Sequence, residues 1–136
     1  MSMRTALREL IAIISLPLLY GVLCLPMTSL LLAQYPNEVN RFGGTQNTGL
    51  VIAIECLQLI SLIICGFAAR MIAGASSRLR LIQLGMTLEM LAIAVWVELQ
   101  YWDAMPFWHH FVFFTLIILG LAMGSALADR WQPARS

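Results

Sequence analysis

The sequence predicts an all-α membrane protein, a bundle of four antiparallel transmembrane helices with both termini in the cytoplasm. The first observation behind this class is composition: of 136 residues, 60% are hydrophobic and 11% are charged, and the mean hydropathy is +0.83. Soluble domains carry about 25% charged residues. A small water-soluble domain has too much surface for its volume to hide so many apolar side chains. The second observation is that the apolar residues are gathered in long runs.

Four apolar runs define the predicted helices, and they cover residues 10–33, 49–72, 81–101 and 107–128. A helix of about 20 residues crosses a hydrocarbon core of about 30 Å. Backbone amides in lipid must be hydrogen-bonded within their own segment, so runs of this length and composition favour helices. The shorter alternating segments of a barrel are not present in the sequence. We expect residues 1–136 to form a single membrane domain.

The connections between the runs contain polar residues that can cap helices. We expect Asn47 or Thr48 to cap helix two, Ser76 or Ser77 to cap helix three, and Asp103 to cap helix four. The second and third connections are short. Short connections favour antiparallel packing, so helices two, three and four are predicted to be consecutive neighbours.

The distribution of arginine predicts the orientation. The sequence has no lysine, and seven of its eight arginines lie before run one, at the end of run two, between runs two and three, or after run four: Arg4, Arg8, Arg70, Arg78, Arg80, Arg130 and Arg135. The positive-inside rule therefore places both termini and the connection near Gly74 in the cytoplasm. A net charge of +1 gives no basic surface for a nucleic acid.

Two stretches resemble segments of small bacterial four-span membrane proteins, GFAARMIAG at residues 66–74 and GLAMGSALADRW at residues 120–131. The resemblance implies a multi-pass protein of the bacterial inner (plasma) membrane. It implies no particular function.

Three acids and one amide lie inside the apolar runs: Glu55, Gln58, Glu89 and Glu98. No arginine lies near them in depth, so we expect the carboxyl groups to be protonated and to donate hydrogen bonds. The candidate acceptors for Glu55 are Gln58, Ser61, Thr87, Ser29 and backbone carbonyls freed by proline. Such acids either fix helix packing or bind protons or other cations, and the sequence leaves both roles open.

Helix one contains Pro17 and Pro26. Each proline removes an intrahelical hydrogen bond, which predicts a bend or an unwound turn. Helix four carries Gly120, Gly124 and Ala128 at four-residue spacing. Such a strip of small residues allows close helix approach. Its expected partner is helix one or helix two of the same chain, or the same helix of a second copy.

His109 and His110 begin helix four within reach of Asp103 and Glu98. Adjacent residues of a helix point about 100° apart. The sequence also lacks an HxxxH or HExxH spacing for chelation. We therefore predict interfacial imidazoles and no metal site. The three cysteines show no CxxC spacing, and no cofactor is expected.

Two functions fit these observations. The first is a non-enzymatic protein in the lipid bilayer that self-associates into a homo-oligomer or serves as an accessory subunit of a larger membrane complex. The alternative is a small proton- or cation-coupled transporter or channel that uses the intramembrane carboxyls. An enzyme is disfavoured because the sequence shows no nucleophile motif, metal set or cofactor motif.

Overall fold

The computed structural model describes residues 3–74 and 78–131. Four α-helices dominate this part of the chain: α1 (Met3–Ala33), α2 (Thr48–Ala73), α3 (Leu79–Tyr101) and α4 (Phe107–Trp131). Short 3-10 turns lie in the connections at Pro36–Glu38 and Trp102–Ala104. All four helices are long and apolar enough to cross a membrane. The predicted all-helical class with four candidate spans is therefore confirmed.

The helix ends agree with the predicted caps in part. Asn47 caps α2, because its side-chain oxygen accepts hydrogen bonds from the Gly49 and Leu50 amides at 3.0 and 3.2 Å. Asp103 is exposed in its 3-10 turn and forms no hydrogen bond to the first amides of α4 within the described residues. That predicted cap is wrong. Ser76 and Ser77 lie outside the described residues.

Helix α1 begins at Met3, well before the predicted start at residue 10. It stays helical through both Pro17 and Pro26. The unwound turn that we considered is therefore absent from α1, and a bend at either proline stays a prediction. Proline within a membrane helix is tolerated where the freed carbonyls find other partners.

Helices α2 and α4 form the closest pair in the bundle, and they run parallel. Glu55 of α2 contacts His109 near the start of α4, and Arg70 near the end of α2 pairs with Asp129 near the end of α4. Helix α1 packs mainly on α2, and α3 packs mainly on α4. Helices α2 and α3 thus lie diagonally across the bundle, so the prediction that they are neighbours is wrong.

Glycines allow the close approach of α2 and α4. A Cβ atom on Gly120 would lie 2.6 Å from Leu62 Cβ, and one on Gly124 would lie 2.7 Å from the Phe67 nitrogen. Likewise, a Cβ atom on Gly66 of α2 would lie 2.6 Å from the Leu121 carbonyl oxygen of α4. Ala128 is fully buried. Of the partners left open for the small-residue strip, the structure selects α2 of the same chain.

The core is built from apolar side chains of all four helices, including Leu16, Leu62, Met86 and Ile117, each at most 2% exposed. Large apolar side chains also cover the outside of the bundle. Leu18 and Val22 of α1, for example, are 67% and 71% exposed. Apolar residues on both the inside and the outside of a helix are expected where the surroundings are lipid.

The connection before α2 folds over one end of the bundle. The Asn40 side chain donates a hydrogen bond to the Ala104 carbonyl at 2.7 Å. Its oxygen accepts from the amides of Phe42 and Gly44, which closes a tight turn. Thr45 is fully buried beneath this turn. The end of the bundle that carries Trp102–Ala104 is thus covered by the chain itself.

Candidate functional site

Four titratable side chains meet near the end of the bundle that carries Trp102–Ala104. We call them the Glu–His cluster: Glu55, Glu98, His109 and His110. Glu55 lies two turns into α2, Glu98 lies in the last turn of α3, and the histidines lie in the first turn of α4. Each is at most 6% exposed. Both imidazoles are buried within the bundle, and their expected depth at the membrane interface stays a prediction.

His109 lies between the two carboxyl groups. Its Nδ1 is 2.6 Å from Glu55 Oε1, a hydrogen-bond distance. Its Nε2 is 3.7 Å from Glu98 Oε1, which is longer than a hydrogen bond. One face of the ring stacks on Phe113, with the ring centroids 5.9 Å apart. The imidazole is thus fixed in orientation, with each nitrogen directed at a different carboxyl group.

His110 contacts the other oxygen of Glu98. Its Nδ1 is in close contact with Glu98 Oε2, and its Nε2 donates to the Trp102 carbonyl at 3.2 Å. The ring stacks on the Trp102 indole at a centroid distance of 4.1 Å and an interplanar angle of 6°. Glu98 therefore joins the two imidazoles, with one oxygen facing each ring.

One carboxyl oxygen of the cluster, Glu55 Oε2, is buried without a hydrogen-bond partner within the described residues. Buried polar atoms are hydrogen-bonded in the great majority of proteins, so each exception needs an explanation. The expected acceptors for Glu55 were Gln58, Ser61, Thr87 and Ser29, and its actual partner is His109. Ser61 and Thr87 instead donate to carbonyls of their own helices.

The topology explains how the cluster forms. Because α2 and α4 run parallel and touch along their glycines, Glu55, two turns into α2, lies level with His109 in the first turn of α4. Helix α3 runs in the opposite direction, so its last turn reaches that level as well. The tight connection at Trp102–Ala104 then places Glu98 directly beside the start of α4. Helices α2, α3 and α4 thus bring their cluster residues to the same side of the bundle.

The remaining polar candidates lie elsewhere. Glu89 is nine residues before Glu98 on α3, about 14 Å away along the helix axis. It is half-buried, and its Oε2 has no hydrogen-bond partner within the described residues. Gln58 is half-buried on α2, and its Oε1 is likewise unpartnered. The structure therefore joins Glu55 and Glu98 and leaves Glu89 and Gln58 outside the cluster.

The sequence contains one indication of this site, which is the position of Glu98 and His110 relative to the turn between α3 and α4. Glu98 and His110 are equally distant in sequence from Ala104, at the centre of the turn between α3 and α4. In an antiparallel helix pair, residues equally distant from the turn lie at the same level. The sequence predicted that both histidines lie within reach of Glu98, but it did not predict the contact between His109 and Glu55.

The electrostatics of the cluster favour binding of positive charge. With both carboxyl groups ionised and both imidazoles neutral, the cluster carries two negative charges in an apolar interior. Buried charge of one sign is strongly unfavourable unless it is paired. Within residues 3–74 and 78–131, no arginine forms an ion pair with Glu55 or Glu98. The arrangement can be neutralised by protons or by a metal cation.

Comparison with protein-family models, curated proteins and solved structures finds no match for this chain. Fold and site together define a class: a chain with four helices able to cross a membrane and a buried cluster of two carboxyl and two imidazole groups near one end of the bundle.

Proposed function

We propose that the protein is a small cation-coupled transporter or channel of a membrane and that the Glu–His cluster is its cation site. The observation that supports this proposal is the burial of two carboxyl groups against two imidazoles, with no arginine paired to either carboxyl group within residues 3–74 and 78–131. Ionisable residues at membrane depth are expensive and typically functional. A packing role alone would need one hydrogen bond, whereas this cluster uses four ionisable side chains from three helices.

The proposal includes an orientation. Arginine is concentrated before α1, around the connection between α2 and α3, and at the end of α4. The positive-inside rule then places both termini in the cytoplasm and the Glu–His cluster in the outer leaflet of a bacterial inner (plasma) membrane. Tyr35, Tyr101, Trp102 and Phe107 are exposed at the same end as the cluster. Exposed aromatic rings at this level are typical of a membrane interface.

Cation flux into reconstituted vesicles tests the proposal. Purified protein is inserted into vesicles that contain either a proton-sensitive or a zinc-sensitive dye, and an ion gradient is imposed. We expect the wild type to admit protons or Zn²⁺ faster than empty vesicles and Glu98→Gln to lose most of this flux. Glu89→Gln is the matched control, because Glu89 lies on the same helix outside the cluster. A wild type no faster than empty vesicles for either ion would overturn the proposal.

A second candidate function is an accessory subunit of a larger membrane complex. The half-buried Glu89, with one oxygen unpartnered, supports it. A carboxyl group near mid-membrane depth gains a hydrogen bond if a neighbouring chain supplies the acceptor. On this proposal another polypeptide co-purifies in mild detergent from wild-type cells and is lost from Glu89→Leu cells. Purification of the wild type without any partner would contradict it.

A further inference from the structure

The hydrogen on each imidazole of the Glu–His cluster can be located from its neighbours. A backbone carbonyl oxygen accepts hydrogen bonds and cannot donate them. His110 Nε2 lies 3.2 Å from the Trp102 carbonyl oxygen, so this nitrogen carries the hydrogen. In a neutral imidazole the other nitrogen then bears a lone pair. The lone pair of His110 is on Nδ1, and it faces Glu98 Oε2.

The same reasoning applies to His109 with the two nitrogens exchanged. An ionised Glu55 is an acceptor, and its Oε1 lies 2.6 Å from His109 Nδ1. Nδ1 therefore carries the hydrogen, and the lone pair is on Nε2. This nitrogen faces Glu98 Oε1 at 3.7 Å. With both imidazoles neutral, two nitrogen lone pairs and both oxygens of one carboxylate converge, and a proton or a metal cation between them removes their mutual repulsion.

We propose that Glu98, His109 and His110 ligate one divalent transition-metal ion of the Zn²⁺ class. The inference rests on the proposed cation site and names its cation. One ligand atom from each residue lies within 4.8 Å of the others. Zinc ligands lie about 2.0–2.2 Å from the ion, so small side-chain rotations bring the three atoms onto it. Two imidazoles and one carboxylate suit Zn²⁺ and related transition metals, whereas Ca²⁺ and Mg²⁺ prefer oxygen ligands alone.

We predicted no metal site because the two histidines are adjacent in sequence. The adjacent imidazoles can nevertheless share one ion, because each uses a different ring nitrogen as the ligand. Adjacent residues leave a helix about 100° apart. His109 offers Nε2, at the far side of its ring, and His110 offers Nδ1, at the near side. These two atoms reach the same carboxylate although the rings diverge. A search for HxxxH spacing cannot detect such a site.

Glu55 and the Trp102 carbonyl then act as outer partners of the two ligating imidazoles. A metal-bound histidine commonly donates its other N–H to a carboxylate or a backbone carbonyl, which fixes the ring and its tautomer. Both kinds of partner are present here. The unpartnered Glu55 Oε2 is also explained, because a water on the open fourth position of the ion can donate to it. Glu55 is thus a positioning residue.

Metal titration of the full chain tests this inference. The protein is purified in mild detergent, stripped with a chelator and titrated with Zn²⁺ by calorimetry and with Co²⁺ by visible absorption. We expect one ion per chain in the wild type and near-complete loss of binding in Glu98→Gln. Glu55→Gln should weaken binding about 10- to 100-fold, as expected for an outer partner. Glu89→Gln, on the same helix, should bind as the wild type does.

The Co²⁺ spectrum separates ligation from a purely structural effect. We expect the wild type to show the intense absorption of a four-coordinate site with nitrogen ligands and His110→Ala to lose it while circular dichroism stays helical. If the wild type binds neither metal, or if Glu98→Gln binds equally well, the metal inference is wrong. Proton flux without metal binding would retain the proposed function and reject this inference. Metal binding without flux would retain this inference and reject the proposed function.

Discussion

At the scale of single residues, the hydrogen bond between Glu55 and His109 holds the first turn of α4 against α2. The two atoms are 2.6 Å apart and both side chains are buried. The sequence could show that an acid inside an apolar run needs a partner, because unpaired buried charge is unfavourable in any fold. It could not show that the partner is His109, because the two residues are 54 positions apart and meet only through the packing of two helices.

Substitution of Glu55 should separate loss of the acceptor from loss of charge. Glu55→Leu leaves the His109 N–H buried without an acceptor, which costs about 1–3 kcal/mol. Glu55→Gln keeps an oxygen acceptor and should cost less. The measurement is the free energy of unfolding in mixed detergent. Glu89→Leu is the control and should be close to neutral, because the Glu89 oxygen makes no such bond. Equal stability of Glu55→Leu and wild type would show that the bond does not stabilise the fold.

At the scale of helices, the number of elements could be predicted and their arrangement could not. Four runs of sufficient length and hydropathy predict four helices, because backbone groups in lipid must be hydrogen-bonded and runs this long are not the short alternating segments of a barrel. Which helices pack as neighbours depends on which helix surfaces are complementary in shape. The spacing of Gly120 and Gly124 predicted a close helix contact but not which helix is the partner. Gly66 of α2, which packs against the backbone of α4, was not part of that prediction. Because these glycines allow α2 to pack closely on α4, α3 lies diagonally across the bundle from α2.

Gly124→Ala should destabilise the bundle without changing its oligomeric state. The added Cβ would meet the backbone nitrogen of Phe67 at 2.7 Å, and backbone yields less easily than a side chain. Overpacking of this kind typically costs about 1–3 kcal/mol. Gly21→Ala is the matched control, because its Cβ would meet only Leu25 at an ordinary 3.9 Å.

Thermal unfolding and size-exclusion chromatography in the same detergent give the two readouts for Gly124→Ala. A lower midpoint with an unchanged particle size supports the intramolecular contact with α2. A shift of the particle to a smaller size with an unchanged midpoint would instead place the strip at an interface between two copies.

At the scale of the whole molecule, the alternating direction of the helices brings the functional candidates to one side. Parallel α2 and α4 both begin at that side, and α3 ends there, so three chain segments supply the Glu–His cluster without a long loop. The connection before α2 then contacts the turn between α3 and α4 through the hydrogen bond from Asn40 to the Ala104 carbonyl. The opposite end carries Arg70, Arg80, Asp129 and Arg130. Most of the arginines lie at one end, and the exposed rings of Tyr35, Tyr101, Trp102 and Phe107 lie at the other, which predicts a fixed orientation in the membrane.

Labelling of single cysteines in intact cells tests that orientation. Gln46 and Asp103 are exposed near the Glu–His cluster, and Met3 is 87% exposed at the other end. A membrane-impermeant maleimide should label Gln46→Cys and Asp103→Cys in intact cells and should label Met3→Cys only after the cells are opened. The unsubstituted chain is the control for its own Cys24, Cys56 and Cys65, of which Cys56 alone is exposed. Labelling of Met3→Cys in intact cells, with Gln46→Cys and Asp103→Cys protected, would reverse the orientation. The proposed cation site would then face the cytoplasm, because the Glu–His cluster lies at the same end of the bundle as Gln46 and Asp103.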